Sequence, residues 1–160
     1  MALIKAITAR EILDSSGVPT LEGKLETQDG IVVRAQVPSG ESLGAHEGVE
    51  LRDNDPLRYR GKGVLVAASY INSAIAPKLI GTDTTLQKEI DTWLLNADGS
   101  KLYKRLGVNT LMIISQLILK ASAVSAGKSL YQYVNELYNA SYSKVQLPIT
   151  TMPSPIYNMI

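Results

Sequence analysis

Thr20-Leu21-Glu22-Gly23-Lys24-Leu25-Glu26-Thr27-Gln28-Asp29-Gly30-Ile31-Val32-Val33-Arg34-Ala35-Gln36-Val37 is the stretch that decides the fold. Leu21, Gly23, Leu25 and Thr27 alternate with Thr20, Glu22, Lys24, Glu26 and Gln28, the period of two that marks a sheet with one wet face. Asp29-Gly30 supplies a tight turn, with glycine taking positive φ, and Ile31 to Val37 returns as the partner strand. Working outward toward the N-terminus, residues 3–13 make the natural third strand, joined through the turn Ser15-Ser16-Gly17-Val18-Pro19. The first third therefore predicts an antiparallel three-stranded meander.

Downstream the period changes. Val64, Ala67, Ala68, Ile71, Ala74 and Ile75 recur at helical spacing, and Pro77 is expected to end or kink that helix. Thr84 as cap with Gln87 three residues on predicts a second helix, striped by Leu86, Ile90, Trp93 and Leu94 and closed at Asp98-Gly99. A third, over residues 109–126, is apolar almost all round and stops at Gly127, which places it at the centre of the bundle. Ser129 and Gln132 open a fourth that should bury Leu130, Tyr133, Val134 and Leu137. Strands first and about four helices afterwards predict an α+β domain over residues 1–145. Residues 146–160, proline-punctuated at Pro148, Pro153 and Pro155, read as an extended linker.

Composition narrows the class. A chain of 160 residues fits one domain with a real core, and the absence of cysteine excludes disulfides and thiolate metal sites. A cytoplasmic location is the expectation, with no signal peptide in Met1-Ala2-Leu3-Ile4-Lys5-Ala6-Ile7-Thr8. The apolar run Leu111 to Leu119 is cut by Gln116 and ended by Lys120, short of a bilayer span of roughly 20 residues, so it reads as a core helix. A net charge of +1 gives no electrostatic case for nucleic acid or membrane as partner. Arg52, Arg58, Arg60 and Lys62 lie among Asp53 and Asp55, the pattern of a solvated mixed-charge loop. Tyr131, Tyr133, Tyr138 and Tyr142 read as packing aromatics rather than a base-stacking platform.

Chemistry points to one loop. Val37-Pro38-Ser39-Gly40-Glu41-Ser42-Leu43-Gly44-Ala45-His46-Glu47 places glycines beside hydroxyls directly after a strand, giving hinges, mobile amides and oxygen ligands without bulk. It reads as a lid. The pocket that such a lid would cover has no counterpart elsewhere in the sequence. His46 is the only histidine and, with no cysteine to activate, reads as an exposed loop residue. Glu41 and Glu47 read as solvated acids, since magnesium wants about six oxygens and these with one serine fall short. Gly61-Lys62-Gly63 lacks the upstream strand and spacing of a phosphate loop and reads as a helix-entry turn.

Several short motifs stand in this order along the chain: Ala9-Arg10-Glu11-Ile12-Leu13-Asp14-Ser15, Gly17, Pro19-Thr20, Glu22, Val37-Pro38-Ser39-Gly40, Ser42, Gly44, Glu47 and Glu50-Leu51-Arg52-Asp53. Arg58-Tyr59, Gly61-Lys62-Gly63-Val64, Ile71-Asn72, Ile75-Ala76-Pro77, Asp98-Gly99, Gly107, Asn109 and Leu130-Tyr131 follow. The ordered set resembles the N-terminal domain of the enolase family across nearly the whole chain. That resemblance implies a capping domain packed on a large C-terminal α/β barrel, where 2-phosphoglycerate is dehydrated to phosphoenolpyruvate with two magnesium ions. It implies that Ser42 is the loop serine that reaches the second magnesium, with Ser39, Gly40, Gly44 and Glu47 in the same substrate lid and Gly40 and Gly44 as hinges. Arg10 and Glu22 match charged positions that pair across the family's dimer interface.

The departures are local. Ser16 and Val18 stand where the family has arginine and asparagine, Glu41 and Leu43 where it has alanine and threonine, and Val108 and Thr110 where alanines flank the asparagine. The central helix must then accommodate two β-branched residues. In the family the magnesium-holding acids, the proton-abstracting lysine, the acid assisting hydroxide departure and the substrate histidine all lie in the barrel. This chain alone is therefore expected to be catalytically incomplete, with no catalytic residue of its own, and its partner to be a barrel-domain polypeptide or a second copy. The competing expectation, from another functional class, is a structural or interaction module that pairs through the surface normally facing a barrel.

Overall fold

A computed structural model describes residues 2–38, 40, 44 and 46–141. Strands β1 (Ile4–Leu13), β2 (Pro19–Thr27) and β3 (Val32–Gln36) form one antiparallel sheet in the order β1-β2-β3. The expected meander is present, with Arg10 opposite Glu22 and Lys24 opposite Arg34. Gly30 turns the hairpin at φ 91°, its N–H reaching the Thr27 carbonyl at 3.1 Å, a conformation in which a Cβ would be strained.

Helices cover one face of this sheet. α4 (Val108–Ser125) lies against β2 and β3, and its Ile113, Ile114, Leu117, Ile118 and Ala121 are fully buried with Leu21 and Leu25. Gly23 lets the helix come close, because a Cβ there would sit 2.7 Å from Leu117 Cδ1 and 2.9 Å from Ile113 Cγ1. By length and composition α4 could cross a membrane, but over half of it is buried inside the domain and its apolar surface serves as core. It ends as expected: Gly127 takes φ 67° and Lys128 N–H returns to the Ala123 carbonyl at 3.0 Å, the 6→1 bond of a Schellman motif.

The first helical region runs on as one rod, made of α1 (Leu65–Tyr70), a π turn (Ile71–Ile75) and α2 (Ala76–Leu79). Pro77 does not end it. The wider turn comes immediately before the proline, where the ring would otherwise press on the carbonyl one turn back, and the rod continues to Leu79. With the rod counted once, four helices follow the sheet among the described residues.

α3 (Gln87–Asp98) closes as the sequence predicts, at Gly99 with φ 60°, but opens differently. Thr84 is fully buried and its hydroxyl caps nothing, while its carbonyl accepts the Ser122 hydroxyl at 2.6 Å. Gln87 turns to Asp91 at 2.9 Å and to the Ser115 hydroxyl at 3.0 Å. Packing on α4 outcompetes the local capping box; α3 opens after Leu86 with no side-chain cap, and Asp83 only closes the turn before it by accepting the Thr85 N–H at 3.0 Å. In α5 (Leu130–Ser141), Gln132 reaches back to Ser129, as expected of that pair. Leu130 and Val134, expected in the core, are instead exposed, with Tyr133 and Leu137 half-buried.

Both sheet edges are plugged by side chains. Asn72 accepts the Ala9 N–H at 2.8 Å and donates to the Ala9 carbonyl at 2.9 Å, imitating a neighbouring strand beside β1. Lys120 donates to the Arg34 carbonyl at 2.9 Å beside β3. Such plugs deny an incoming strand its partners and leave the helix-free face of the sheet as its open surface.

Candidate functional site

The candidate lid leaves the sheet where β3 stops. Val37 is still pinned to β2, its N–H on the Leu21 carbonyl at 3.1 Å and its carbonyl accepting the Thr20 hydroxyl at 2.5 Å. Of the five lid residues named from sequence, Gly40, Gly44 and Glu47 are described; Ser39 and Ser42 lie outside the described residues, as do Glu41 and Leu43. Gly40 donates its N–H to Glu50 Oε1 at 3.1 Å. Glu47 closes a turn by donating to the Gly44 carbonyl at 3.2 Å, and its side chain is exposed, as is His46. No Cβ at Gly40 would meet anything within 4 Å, whereas one at Gly44 would meet Glu47 Oε1 at 3.3 Å.

The returning arm is held firmly. Val49 donates to the Leu102 carbonyl at 2.8 Å and accepts from Val108 at 2.9 Å, which fixes the chain to the first residue of α4. Asn109, 3% exposed, then treats Leu51 as a strand partner, accepting its N–H at 2.9 Å and donating to its carbonyl at 3.2 Å. This approach requires Gly107: at φ 85°, a Cβ there would lie 2.4 Å from Leu51 Cβ. Val108 is accommodated because position 48 is glycine, where a Cβ would meet the Val108 Cβ at 2.9 Å, and Thr110 is wholly buried. Sequence reasoning quoted Gly107 and Asn109 only as motif members. Their strap role spans 58 residues and has no local signal.

Charges beside the strap are ordered, which corrects the expectation of a solvated mixed-charge loop. Arg52 bonds Glu50 through Nε at 3.0 Å and also through Nη2, and donates from Nη1 to the carbonyls of Pro19 at 2.5 Å and Lys62 at 2.7 Å. Asp53 accepts the N–H groups of Leu65 at 3.0 Å and Val66 at 2.8 Å, capping α1 from another part of the chain. Arg58 pairs with Glu11, which also accepts the Val64 N–H at 2.7 Å. Burial pushes the Glu11 carboxyl up, but the Arg58 and Val64 bonds with the nearby arginine charges outweigh it, and it sits below the ordinary value. Only Asp55, Arg60 and Lys62 of the cluster stay exposed, and Gly61-Lys62-Gly63 forms the entry to α1.

Arg10 and Glu22 lie together on the helix-free face, paired within the chain at 2.7 Å, with Arg34 at 3.2 Å and Gln36 at 3.1 Å on the same carboxylate. The Gln36 hydrogen bond leads the causes that hold the Glu22 carboxyl below its ordinary value, followed by the opposing effect of burial and then Arg10. Arg10 remains largely exposed.

As for magnesium, no three His, Asp or Glu side chains converge as ligands among the described residues. The described part of the chain therefore does not by itself fit an octahedral magnesium site. What the described residues provide is a hydrogen-bonded seat, Val49 and Leu51 on Leu102, Val108 and Asn109, directly after the small-residue stretch in sequence.

Comparisons with known proteins bear on that arrangement. The family model described as enolase, N-terminal domain, matches residues 4–134. A curated relative named enolase, from Mastigamoeba balamuthi, is 45% identical over 160 residues, covering 100% of this chain and 35% of the relative. The chain thus spans about a third of the length of that relative. A match through every described strand and as far as the first turn of α5, with that identity across the whole sequence, places the chain in the enolase family, over its N-terminal domain.

Proposed function

We propose that this domain is the cover of a magnesium-dependent site that dehydrates 2-phosphoglycerate to phosphoenolpyruvate, the site itself being built in an enolase barrel. The observation that carries the reading is the seat of the loop: Val49 and Leu51 are bonded to Leu102, Val108 and Asn109, so the arm that follows the small-residue stretch in sequence is tied to the start of α4. A cover of this kind excludes water and brings a hydroxyl to the bound substrate only on closure. Magnesium, when bound, supplies charge stabilisation for the carboxylate that gains charge as the α-proton leaves. From this chain Ser42 is the group that would approach it, with Ser39, Gly40, Gly44 and Glu47 shaping the loop around the substrate. No general base is assigned to this chain, and proton abstraction belongs to the barrel. A glycolytic, cytoplasmic setting goes with that reaction.

The partner in this reading is a barrel domain, and a second copy meets the helix-free face where Arg10 and Glu22 stand. Exposed Arg10 and the surrounding charges favour an ionic contact there. In the chain joined to an enolase barrel, Ser42→Ala should lower magnesium-dependent turnover of 2-phosphoglycerate by about 10- to 100-fold, the range for losing a supporting metal partner. Unchanged turnover in that variant would remove Ser42 from the site. Gel filtration over a dilution series should show Arg10→Ala shifting the joined chain toward monomer, and an identical profile would refute the face as an interface.

A further inference from the structure

One polar relay ends on a lid residue rather than in the sheet or the core. Glu50 Oε1 accepts the Gly40 N–H at 3.1 Å, while Oε2 is held by Arg52 through Nε and Nη2. Arg52 is itself fixed by its Nη1, which donates to the Pro19 carbonyl at the start of β2 and to the Lys62 carbonyl at the entry to α1. The two side chains are 17% and 18% exposed, so the pair is mostly withdrawn from water and each charge depends on the other for solvation. On the side where a Gly40 Cβ would point, no described residue beyond its chain neighbours lies within 4 Å. The hydrogen bond to Glu50 is thus a tie from Gly40 to a side chain that Arg52 joins to β2 and to the entry of α1.

We propose that Glu50 is a positioning residue of the lid, setting the place of the Gly40 amide from a platform that Arg52 anchors to β2 and α1. The inference rests on the reading of the loop as a cover and names what holds its leading arm, as Asn109 and Gly107 hold the returning one. Glu50 touches no reacting atom in this account. It acts through Gly40, and the chain then runs on toward Ser42 in sequence.

Amide hydrogen exchange by NMR on the 160-residue chain tests the tie directly. Glu50→Ala should speed exchange at Gly40 at least about tenfold while Val33 and Ile114 amides are unchanged, a local rather than global opening. Glu50→Gln, which keeps an acceptor oxygen but loses the ionic fork, should recover most of the protection. If Glu50→Ala also frees the core amides, Arg52→Lys carries the test: it keeps the charge, breaks the fork, and should raise Gly40 exchange alone. Gly40 exchange equal to wild type in these variants, with the core intact, overturns the proposal. A second readout is kcat/KM for 2-phosphoglycerate in the chain joined to an enolase barrel, expected to fall about tenfold in Glu50→Ala and to be largely restored in Glu50→Gln. Unchanged kcat/KM with a freed Gly40 amide also overturns the positioning role. Absence of turnover in the joined wild-type chain would instead contradict the proposed function, and the exchange result would still decide the tie.

Discussion

At the residue scale, the site depends on a few positions where no substitute fits. Gly107 combines positive φ with a backbone approach to Leu51, so Gly107→Ala should destabilise the fold by about 2 kcal/mol or more, measured by urea unfolding. Asn109→Ala leaves the Leu51 N–H and carbonyl without their partner and should cost about 2–3 kcal/mol by the same measurement, with Leu51 exchange accelerated. Asp98 is 2% exposed and organises the loop before α4, accepting from Leu106 N–H at 2.6 Å and from the Ser100 N–H at 3.0 Å and hydroxyl at 2.5 Å. Burial pushes its carboxyl up, yet the Ser100, Leu106 and Arg105 donors together hold it below its ordinary value. Glu11 is lowered too, against its own burial, by Arg58 and Val64. For both groups the folded pKa lies below the unfolded one, so their contribution is complete above the unfolded values of 3.8 and 4.5 and is lost as pH falls through the folded values. Stability followed against pH should therefore drop below about pH 4.5. The double variant Asp98→Asn, Glu11→Gln should be less stable at pH 7 and show a flatter acid limb; an acid limb as steep as wild type would refute this assignment.

At the element scale, α4 and β2 are matched by the missing side chain of Gly23. Gly23→Ala should cost about 1–3 kcal/mol by overpacking against Leu117 and Ile113. Shortening the contact with Leu117→Val should offset part of that loss, so the double variant is more stable than the two single effects sum to. Thermal unfolding of the four proteins checks the coupling, and strict additivity would contradict the close approach. This pairing also marks what the sequence could disclose. The meander was legible because alternation from Leu21 to Thr27 and the turn at Asp29-Gly30 are local signals, and so were the stops at Gly99 and Gly127. The opening of α3 was not, since Thr84 looks like a cap until α4 packs over it and takes Gln87 away. Leu130 and Val134 kept their helical spacing, but α5 turns them outward. In the candidate site the loop composition was plain, whereas the strap of Asn109 on Leu51 and the ties of Arg52 to Pro19 and Lys62 join distant residues that no window contains. A charge run reports its charges and not the carbonyls and amides waiting for them, which is why Arg52 and Asp53 read as solvated.

At the scale of the whole molecule, the described residues form a sheet covered on one face by helices and plugged at both edges, with residues 49–51 tied to the start of α4. The described residues gather no metal-binding cluster, while the chain belongs to the enolase family and spans 35% of the length of a curated relative. Under the function proposed above, this domain covers a site whose acids and base a barrel supplies. Production of phosphoenolpyruvate from 2-phosphoglycerate with magnesium, measured for the chain alone, for an enolase barrel alone and for the two together, tests that division most directly. The account predicts turnover only when both are present. Robust turnover by the chain alone, or a barrel whose rate the chain does not change, would contradict it.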